Sequence, residues 1–258
     1  MGDRVGKRLV HCTIEGGVAT ITLDSPSNRN ALSRQLLDEL HAALDETEQP
    51  GVRVIVVGHT PPVFCAGADL KERNDKEHGE PTGTHFATSS ASMVRAIERL
   101  GGGHVPTIAA VNGPVRAGGI GIMAACDLVV VASTVTFAFT EVRLGVAPAI
   151  ISVPILARCG WSKLAAPFLT GETFDAASAR DMGLVTQVTD DVAATVATLV
   201  AGILAGAPNA VAATRRVLRS ASPDMAEMQA LSEALFDSPE AAEGMRAFAA
   251  KTTPAWML

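Results

Sequence analysis

Tyrosine is absent from this 258-residue chain, tryptophan occurs twice and phenylalanine eight times. So thin an aromatic supply excludes a base-stacking surface for single-stranded nucleic acid. Positive charge is also scarce. Lys and Arg number 21 against 27 Asp and Glu, a net charge of −6, with both signs mixed along the chain. No basic patch of the kind a nucleic-acid footprint needs is present. No apolar run reaches the roughly 18–20 residues of a membrane span. Met1 to Lys7 is polar and carries no signal-peptide apolar region. Cys12, Cys65, Cys126 and Cys159 are far apart and form no metal-type pair. Reduced thiols in a cytoplasmic protein are therefore expected. None of the six histidines has ligand spacing, and no metal is expected. Nucleotide loops are missing too: Gly101-Gly102-Gly103 is not a phosphate loop, and Gly119-x-Gly121 lacks the third glycine of a dinucleotide fingerprint.

What is present is apolar substance, at 48% of residues, enough for a sizeable core in one large domain or a domain with an appendage. Leu9–Ile14 and Val18–Leu23 flank Glu15-Gly16-Gly17 and predict a β-hairpin. Ser33 is set to cap a helix running to about Glu48, with Leu36, Leu37, Leu40, Ala43 and Leu44 on one face. Val54–Val57 predicts a strand buried on both faces. Thr60 to Phe86 is polar and charged and predicts a long loop. A helix over Ala87–Leu100, a strand over Thr107–Val111, a short helix over Gly118–Ala125 and a strand over Leu128–Val131 follow. Helical pattern dominates beyond Ile150, interrupted by a short strand at Leu184–Val188. From Thr195 the chain is alanine-rich and helical, with breaks near Pro208, Pro223 and Pro239. The sum is an α/β core over residues 1–195 and a C-terminal helical region over 196–258.

Two small-residue segments carry the chemistry: Phe64-Cys65-Ala66-Gly67-Ala68-Asp69 and Val115-Arg116-Ala117-Gly118-Gly119-Ile120-Gly121. Both stand where a predicted strand gives way to a helix. Small residues let a ligand approach the backbone, so that N–H groups do the binding. Two converging N–H groups can hold an oxygen that becomes negative during reaction.

In this setting the chain resembles the crotonase (enoyl-CoA hydratase/isomerase) family. The likeness runs through Leu23-Asp24-Ser25-Pro26, Arg29-Asn30-Ala31-Leu32-Ser33, Phe64–Lys71, Ala109–Gly113 and Gly118-Gly119. It continues through Ala124-Ala125-Cys126-Asp127-Leu128, Phe139-Thr140-Glu141, Leu144-Gly145 and Gly183-Leu184-Val185. It ends on Glu243-Gly244-Met245, Phe248, Lys251 and Trp256. The resemblance implies a spiral of ββα units with a C-terminal helical trimerisation region, as a homotrimer or a dimer of trimers. It implies an acyl-CoA thioester as substrate, coenzyme A being part of that substrate and no separate cofactor being needed. By the family pattern, the backbone N–H groups of Ala68 and Gly118 hold the thioester oxygen. Arg29, Ala31, Ala66 and Lys71 match CoA-lining positions, with Asp69, Leu70, Gly119 and Gly121 beside them.

Family hydratases set two glutamates over the substrate's double bond. The matching positions here are Gly121 and Glu141, so the second carboxylate is present and the first is not. Three readings stay open: a hydratase with one carboxylate, a delta-3 to delta-2 enoyl-CoA isomerase shuttling one proton, and a non-catalytic acyl-CoA binder. The stretch Phe139–Ala149 is similar to a hydratase subgroup that includes methylglutaconyl-CoA hydratases, which favours hydration and admits a branched substrate. Ala149-Ile150-Ile151 replaces a glycine-rich turn of other members and predicts a more apolar pocket.

Outside its register Glu141 is an ordinary exposed carboxylate. Ala68 and Gly118 alone are ordinary turn residues. Asp127 reads as a structural hydrogen-bonding residue, since buried Asp is normally paired. Arg116 is either a cation for an acidic substrate tail or a subunit contact. Glu72, Asp75, Glu77 and Glu80 read as a solvated loop face, with the alternative that one of them swings in as a second carboxylate.

Overall fold

Two glycines start the sheet. Gly16 and Gly17 take φ of +56° and +81°, the left-handed pair that a two-residue hairpin turn favours. Strand β1 (Val10–Glu15) therefore returns as β2 (Val18–Leu23), with Glu15 opposite Val18 and Val10 opposite Leu23. The structure is a computed structural model and describes residues 7–74 and 82–257. Asp75, Glu77 and Glu80 lie outside the described residues.

The elements after the hairpin follow from local signals. Helix α1 (Arg34–Glu46) opens with the Ser33 side chain accepting the Leu36 N–H, and Leu36, Leu37, Leu40, Ala43 and Leu44 form its buried stripe. Strand β3 (Val54–His59) has four consecutive buried residues, as a strand covered on both faces should. Next come α2 (Leu70–Asn74), α3 (Thr82–Gly102) and β4 (Thr107–Val111). Strand β5 (Val115–Arg116), α4 (Gly118–Ala125), β6 (Leu128–Ala132) and β7 (Thr136–Ala138) succeed them. A 3-10 turn at Thr140–Leu144 leads to α5 (Ala149–Cys159) and α6 (Trp161–Thr170). The short β8 (Phe174–Asp175), α7 (Ala176–Met182) and β9 (Gln187–Thr189) precede four C-terminal helices. These are α8 (Val192–Ala205), α9 (Pro208–Arg219), α10 (Met225–Phe236) and α11 (Pro239–Ala250).

The main sheet has the order β1-β2-β3-β4-β6-β9 and is parallel from β2 onward. A second sheet, β5-β7-β8, stands apart from it. The α/β architecture with C-terminal helices is thus as expected. Inside, α1 and α4 pack with one face of the main sheet around Phe64, Val111, Ile120 and Val129. Val54, Val56, Ile108 and Val130 on the other face meet Val192 and Val196 of α8. The division expected after residue 195 therefore falls inside a helix that covers the sheet. Among the described residues no single helix is long and apolar enough to cross a membrane.

Two expectations are corrected. The loop from Thr60 to Phe86 contains α2, and α3 starts at Thr82 rather than Ala87. The strand expected at Leu184–Val188 is shifted to Gln187–Thr189. Leu184 and Val185 are buried, but their N–H groups both turn back to Ala179 O at the end of α7, so neither joins a ladder. The helix breaks expected near Pro208, Pro223 and Pro239 are present, and Pro208 and Pro239 each stand in the first turn of the next helix, where the missing N–H costs no bond.

Asp127 ties the core to the C-terminal region. Its Oδ2 accepts from Thr107 N–H (2.8 Å), Thr107 Oγ1 (3.1 Å) and Arg215 Nε (2.5 Å), and its Oδ1 accepts from Arg219 Nε (2.7 Å). Arg215 also caps the end of α3, donating to Leu100 O (2.8 Å), Gly101 O (3.0 Å) and Gly103 O. Arg219 donates to Ala125 O at the end of α4 (2.6 Å). Cations at two helix C-termini meet the partial negative charge of those ends. The structural reading of Asp127 agrees with these bonds. Arg215 is only 6% exposed, so Asp127→Ala strands a buried charge, at a cost of about 3–5 kcal/mol. Urea denaturation of that variant should show the loss, and a change under about 1 kcal/mol would contradict it.

Candidate active site

Three lanes of backbone build the site. The first, residues 29–32, is anchored by Asn30, which is fully buried. Its Oδ1 accepts from Ser25 N–H (2.6 Å) and its Nδ2 donates to Val63 O (2.8 Å). The middle lane, residues 65–68, is held from both sides. Leu32 N–H donates to Gly67 O (2.7 Å), Ala66 N–H to Arg29 O (3.0 Å) and Arg116 N–H to Cys65 O (2.9 Å). Bridges Leu32↔Ala68 and Cys65↔Val115 complete the register.

The third lane approaches so closely that side chains are excluded. A Cβ on Gly119 would lie 2.5 Å from Cys65 Cβ. Gly67 adopts φ +90°, and a Cβ there would lie 3.0 Å from Ala117 Cβ. Ala117 itself has φ 47° and ψ −122°, a conformation L-residues rarely adopt. It is pinned there by its N–H donating to Ala138 O (3.1 Å) and its O accepting from Ile120 N–H (2.9 Å). Gly67 and Ala117, the residues just before Ala68 and Gly118, thus lie against each other. Among the described residues neither the Ala68 nor the Gly118 N–H donates to a protein acceptor. Gly118 also opens α4, whose first N–H groups have no intrahelical partner. Two free N–H groups beside a helix N-terminus suit an oxygen that becomes anionic.

Glu141 arrives on the second sheet. Strand β7 lies parallel to β5 with Ala138 opposite Arg116, and Glu141 follows three residues later in the 3-10 turn. Phe139 is fully buried, its ring 4.1 Å from Phe168. Val146 N–H donates to Glu141 O (3.1 Å), and Arg143 Nε donates to Thr170 O (3.0 Å), fixing the turn to α6. The Glu141 carboxyl is half-buried, and its Oε2 is buried with no hydrogen-bond partner among the described residues. Burial pushes its pKa above the ordinary 4.5, outweighing a backbone hydrogen bond that pulls the other way. A shielded carboxylate with an open lone pair is equipped to take and return a proton.

The match to a family model, Enoyl-CoA hydratase/isomerase, extends over residues 13–257. The chain belongs to the enoyl-CoA hydratase/isomerase family. A mevalonyl-coenzyme A hydratase of Aspergillus fumigatus is 33% identical, over 95% of this chain and 96% of that one. An enoyl-CoA isomerase/hydratase of Mycosarcoma maydis is 34% identical over 67% of this chain and 65% of its own. Among solved structures, an enoyl-CoA hydratase of Mycobacterium smegmatis superposes with a TM-score of 0.89, covering 97% of this chain and 99% of that one at 28% identity. The crotonase fold expected from the motifs is therefore shown, and acyl-CoA binding follows from the family.

Where this family's hydratases carry their first glutamate, the chain has no room for one. A Cβ on Gly121 would lie 2.5 Å from Ile151 Cγ2 and 2.9 Å from its Cβ. Ile151, 3% exposed near the start of α5, fills the volume into which a side chain at 121 would point.

The remaining predicted site residues are placed as follows. Ala31 is buried, while Arg29, Leu70 and Lys71 lie around the middle lane, with Leu70 and Lys71 reaching toward solvent. Arg29 holds its turn at φ 59°. Asp69 caps α2, its Oδ1 accepting from Lys71 N–H (3.0 Å) and Glu72 N–H (3.3 Å), and its Oδ2 accepting from Asn28 Nδ2 (3.0 Å). Glu72 accepts from Arg34 N–H (2.9 Å). The Arg116 guanidinium is tied to β7, with Nη1 donating to Thr136 O (2.6 Å) and Nη2 to Thr136 Oγ1 (3.0 Å). Both bonds lie within the chain. Sequence reasoning passed over Asn28 and the strained Ala117; an alanine gives no sign of positive φ. Among the described residues no cluster of three His, Cys, Asp or Glu could hold a metal.

The raised pKa of Glu141 has a consequence for stability. The folded state binds this proton more tightly than the unfolded chain, so the contribution is fully present below the unfolded value near 4.5. It is lost as pH rises through the folded value. Above that window the charged carboxylate burdens the fold. Glu141→Gln is expected to raise the melting temperature at neutral pH, with the gain shrinking as the solution is acidified toward the unfolded value. An equal or lower melting temperature at neutral pH would contradict the burial argument.

Proposed function

We propose that the protein is an enoyl-CoA hydratase in which Ala68 and Gly118 hold the thioester oxygen and Glu141 carries the proton. The observation behind this reading is the buried, unpartnered Oε2 of Glu141, which follows the strand registered to the lane that ends in Gly118. Water attacks the β-carbon of the 2-enoyl thioester while Glu141 accepts its proton. The double-bond electrons move onto the thioester oxygen as an enolate. Two N–H donors and the start of α4 face that charge, and each such donor is worth about 3–4 kcal/mol of barrier in comparable sites. Glu141 then returns the proton to the α-carbon. Hydroxyl and hydrogen are both added, and the carboxylate is regenerated.

The acyl end is read as apolar. Ile151 supports this, as does the engagement of Arg116 with Thr136, which turns that cation to β7 rather than to an acidic tail. Branched enoyl groups, methylglutaconyl-CoA included, belong to the same assay series. Assembly as a homotrimer or dimer of trimers is part of the proposal, supported by exposed Phe236, Met245 and Phe248 on the C-terminal helices. Four free thiols support a cytoplasmic setting.

A second reading has its own observation. With Gly121 covered by Ile151, Glu141 is the one predicted catalytic carboxylate among the described residues, and one suffices to move a proton from the α-carbon of a 3-enoyl-CoA to its γ-carbon. Hydration of crotonyl-CoA should be measurable, and Glu141→Gln should lower it by about 10²–10⁴-fold. Full activity in that variant would remove Glu141 from the mechanism. Tight acyl-CoA binding with no turnover of any 2- or 3-enoyl-CoA would leave a binding protein instead.

A further inference from the structure

His59, the last residue of β3, has both ring nitrogens engaged. Asn112 N–H donates to Nε2 (3.0 Å), so Nε2 carries no proton and Nδ1 does. Nδ1–H then donates to Thr60 O (3.0 Å). The carbonyls of Thr60 and Val63 also accept from Asn30 Nδ2, the anchor of the first lane. The imidazole lies 5.4 Å from the ring of Phe64, at 77° to it, where the chain enters the middle lane. One side chain therefore touches the approaches to all three lanes.

Beyond Asn112 the third lane is laid along the middle one contact by contact. At Gly113 no Cβ would fit beside Pro62 O. Pro114 O accepts from Phe64 N–H (3.1 Å), and Arg116 N–H donates to Cys65 O (2.9 Å). Gly67 then lies against Ala117, and the next residues are Ala68 and Gly118. The bond from Asn112 to His59 comes first in this series, and a proton can reverse it. A protonated ring has N–H on both sides, so Nε2–H would face Asn112 N–H, donor against donor.

We infer that His59 is a positioning residue for the proposed reaction: as a neutral imidazole bonded to Asn112 N–H, it holds the third lane in register with the middle one, so that the Ala68 and Gly118 N–H groups converge on one oxygen. This rests on the reading of those two groups as donors to the thioester. Burial favours the neutral ring and lowers its pKa from 6.5, while Thr60 O and Val63 O pull the other way. No charged side chain among the described residues adds to that balance. Asp24, at the end of β2, is paired with Lys7 and His11. Arg29 on the first lane is exposed, β4 carries no charged residue, and full burial holds Cys65 neutral. Acid therefore disables the site twice, by protonating Glu141 and by protonating His59.

Two variants of the full chain test this with crotonyl-CoA. His59→Leu removes both bonds, whereas the amide of His59→Gln can accept from Asn112 N–H and donate to Thr60 O without titrating. At pH 7.5 His59→Leu should lower kcat by about tenfold or more with KM within about threefold, and His59→Gln should recover most of the loss. Below neutrality, over the range in which circular dichroism shows the fold intact, the parent's kcat should fall more steeply than tenfold per pH unit. In His59→Gln the fall should be no steeper than tenfold per unit, with Glu141 alone titrating. A merely structural role would leave that steepness unchanged. Binding gives a readout free of turnover. The infrared carbonyl stretch of crotonyl-CoA bound to Glu141→Gln should be lowered from its free value, and adding His59→Leu should reverse at least half of that shift. A kcat in His59→Leu within about twofold of the parent, or parental steepness in His59→Gln, would overturn the proposal. Should His59→Leu fail to fold, the His59→Gln profile decides. A carbonyl shift present in Glu141→Gln and unmoved by His59→Leu sinks this inference alone. No carbonyl shift in Glu141→Gln at all means the underlying reading of Ala68 and Gly118 is wrong.

Discussion

Gly119 lies against Cys65 so closely that any side chain there would collide with the cysteine's Cβ. That contact draws the 115–118 lane onto the 65–68 lane, and the Cys65↔Val115 bridge sets their register. Gly67 can then rest on Ala117, and the next N–H in each lane is left without a protein acceptor among the described residues. Two residues distant in sequence become one polar feature because the chain has given up side chains at their junction. Cys65 is part of this packing rather than of the chemistry, since full burial pushes its thiol to about pKa 12.

Helix α4 joins that junction to the rest of the protein. All its residues are buried, and both its ends are electrically specialised. At the far end, Arg219 and Arg158 act as caps, donating to Ala125 O (2.6 Å) and Cys126 O (2.7 Å), with Asp127 balancing the charge. At the near end, the Gly118 N–H has no protein acceptor among the described residues. The positive end of the helix is thus kept for a ligand while the negative end is satisfied by the protein. The C-terminal region contributes to the site indirectly, by holding α4 in place from α9.

Much of this was legible in the sequence, for identifiable reasons. The α1 stripe and the Gly16-Gly17 turn are local patterns, and the structure reproduces them. The two small-residue segments stood out because glycine is informative where backbones meet. The second sheet did not stand out: strands of two or three residues show no alternation to read. Gly121 was visible as a departure, but its meaning needed Ile151, distant in the sequence, to be seen filling its space. Arg116 beside the junction looked like a possible substrate contact, and only its bonds to Thr136 reveal what occupies it. Pattern reports what each residue is suited to, whereas the choice between suitable partners is made by packing.

The central claim is that the Ala68 and Gly118 N–H groups receive the thioester oxygen while Glu141 faces the reacting carbons. A crystal structure of the Glu141→Gln protein with a 2-enoyl-CoA bound tests it most directly. The thioester oxygen should lie about 2.7–3.1 Å from both nitrogens, with the substituted amide side chain at position 141 over the α- and β-carbons. A thioester oxygen bound away from both N–H groups, or an enoyl double bond out of reach of that side chain, would contradict the claim.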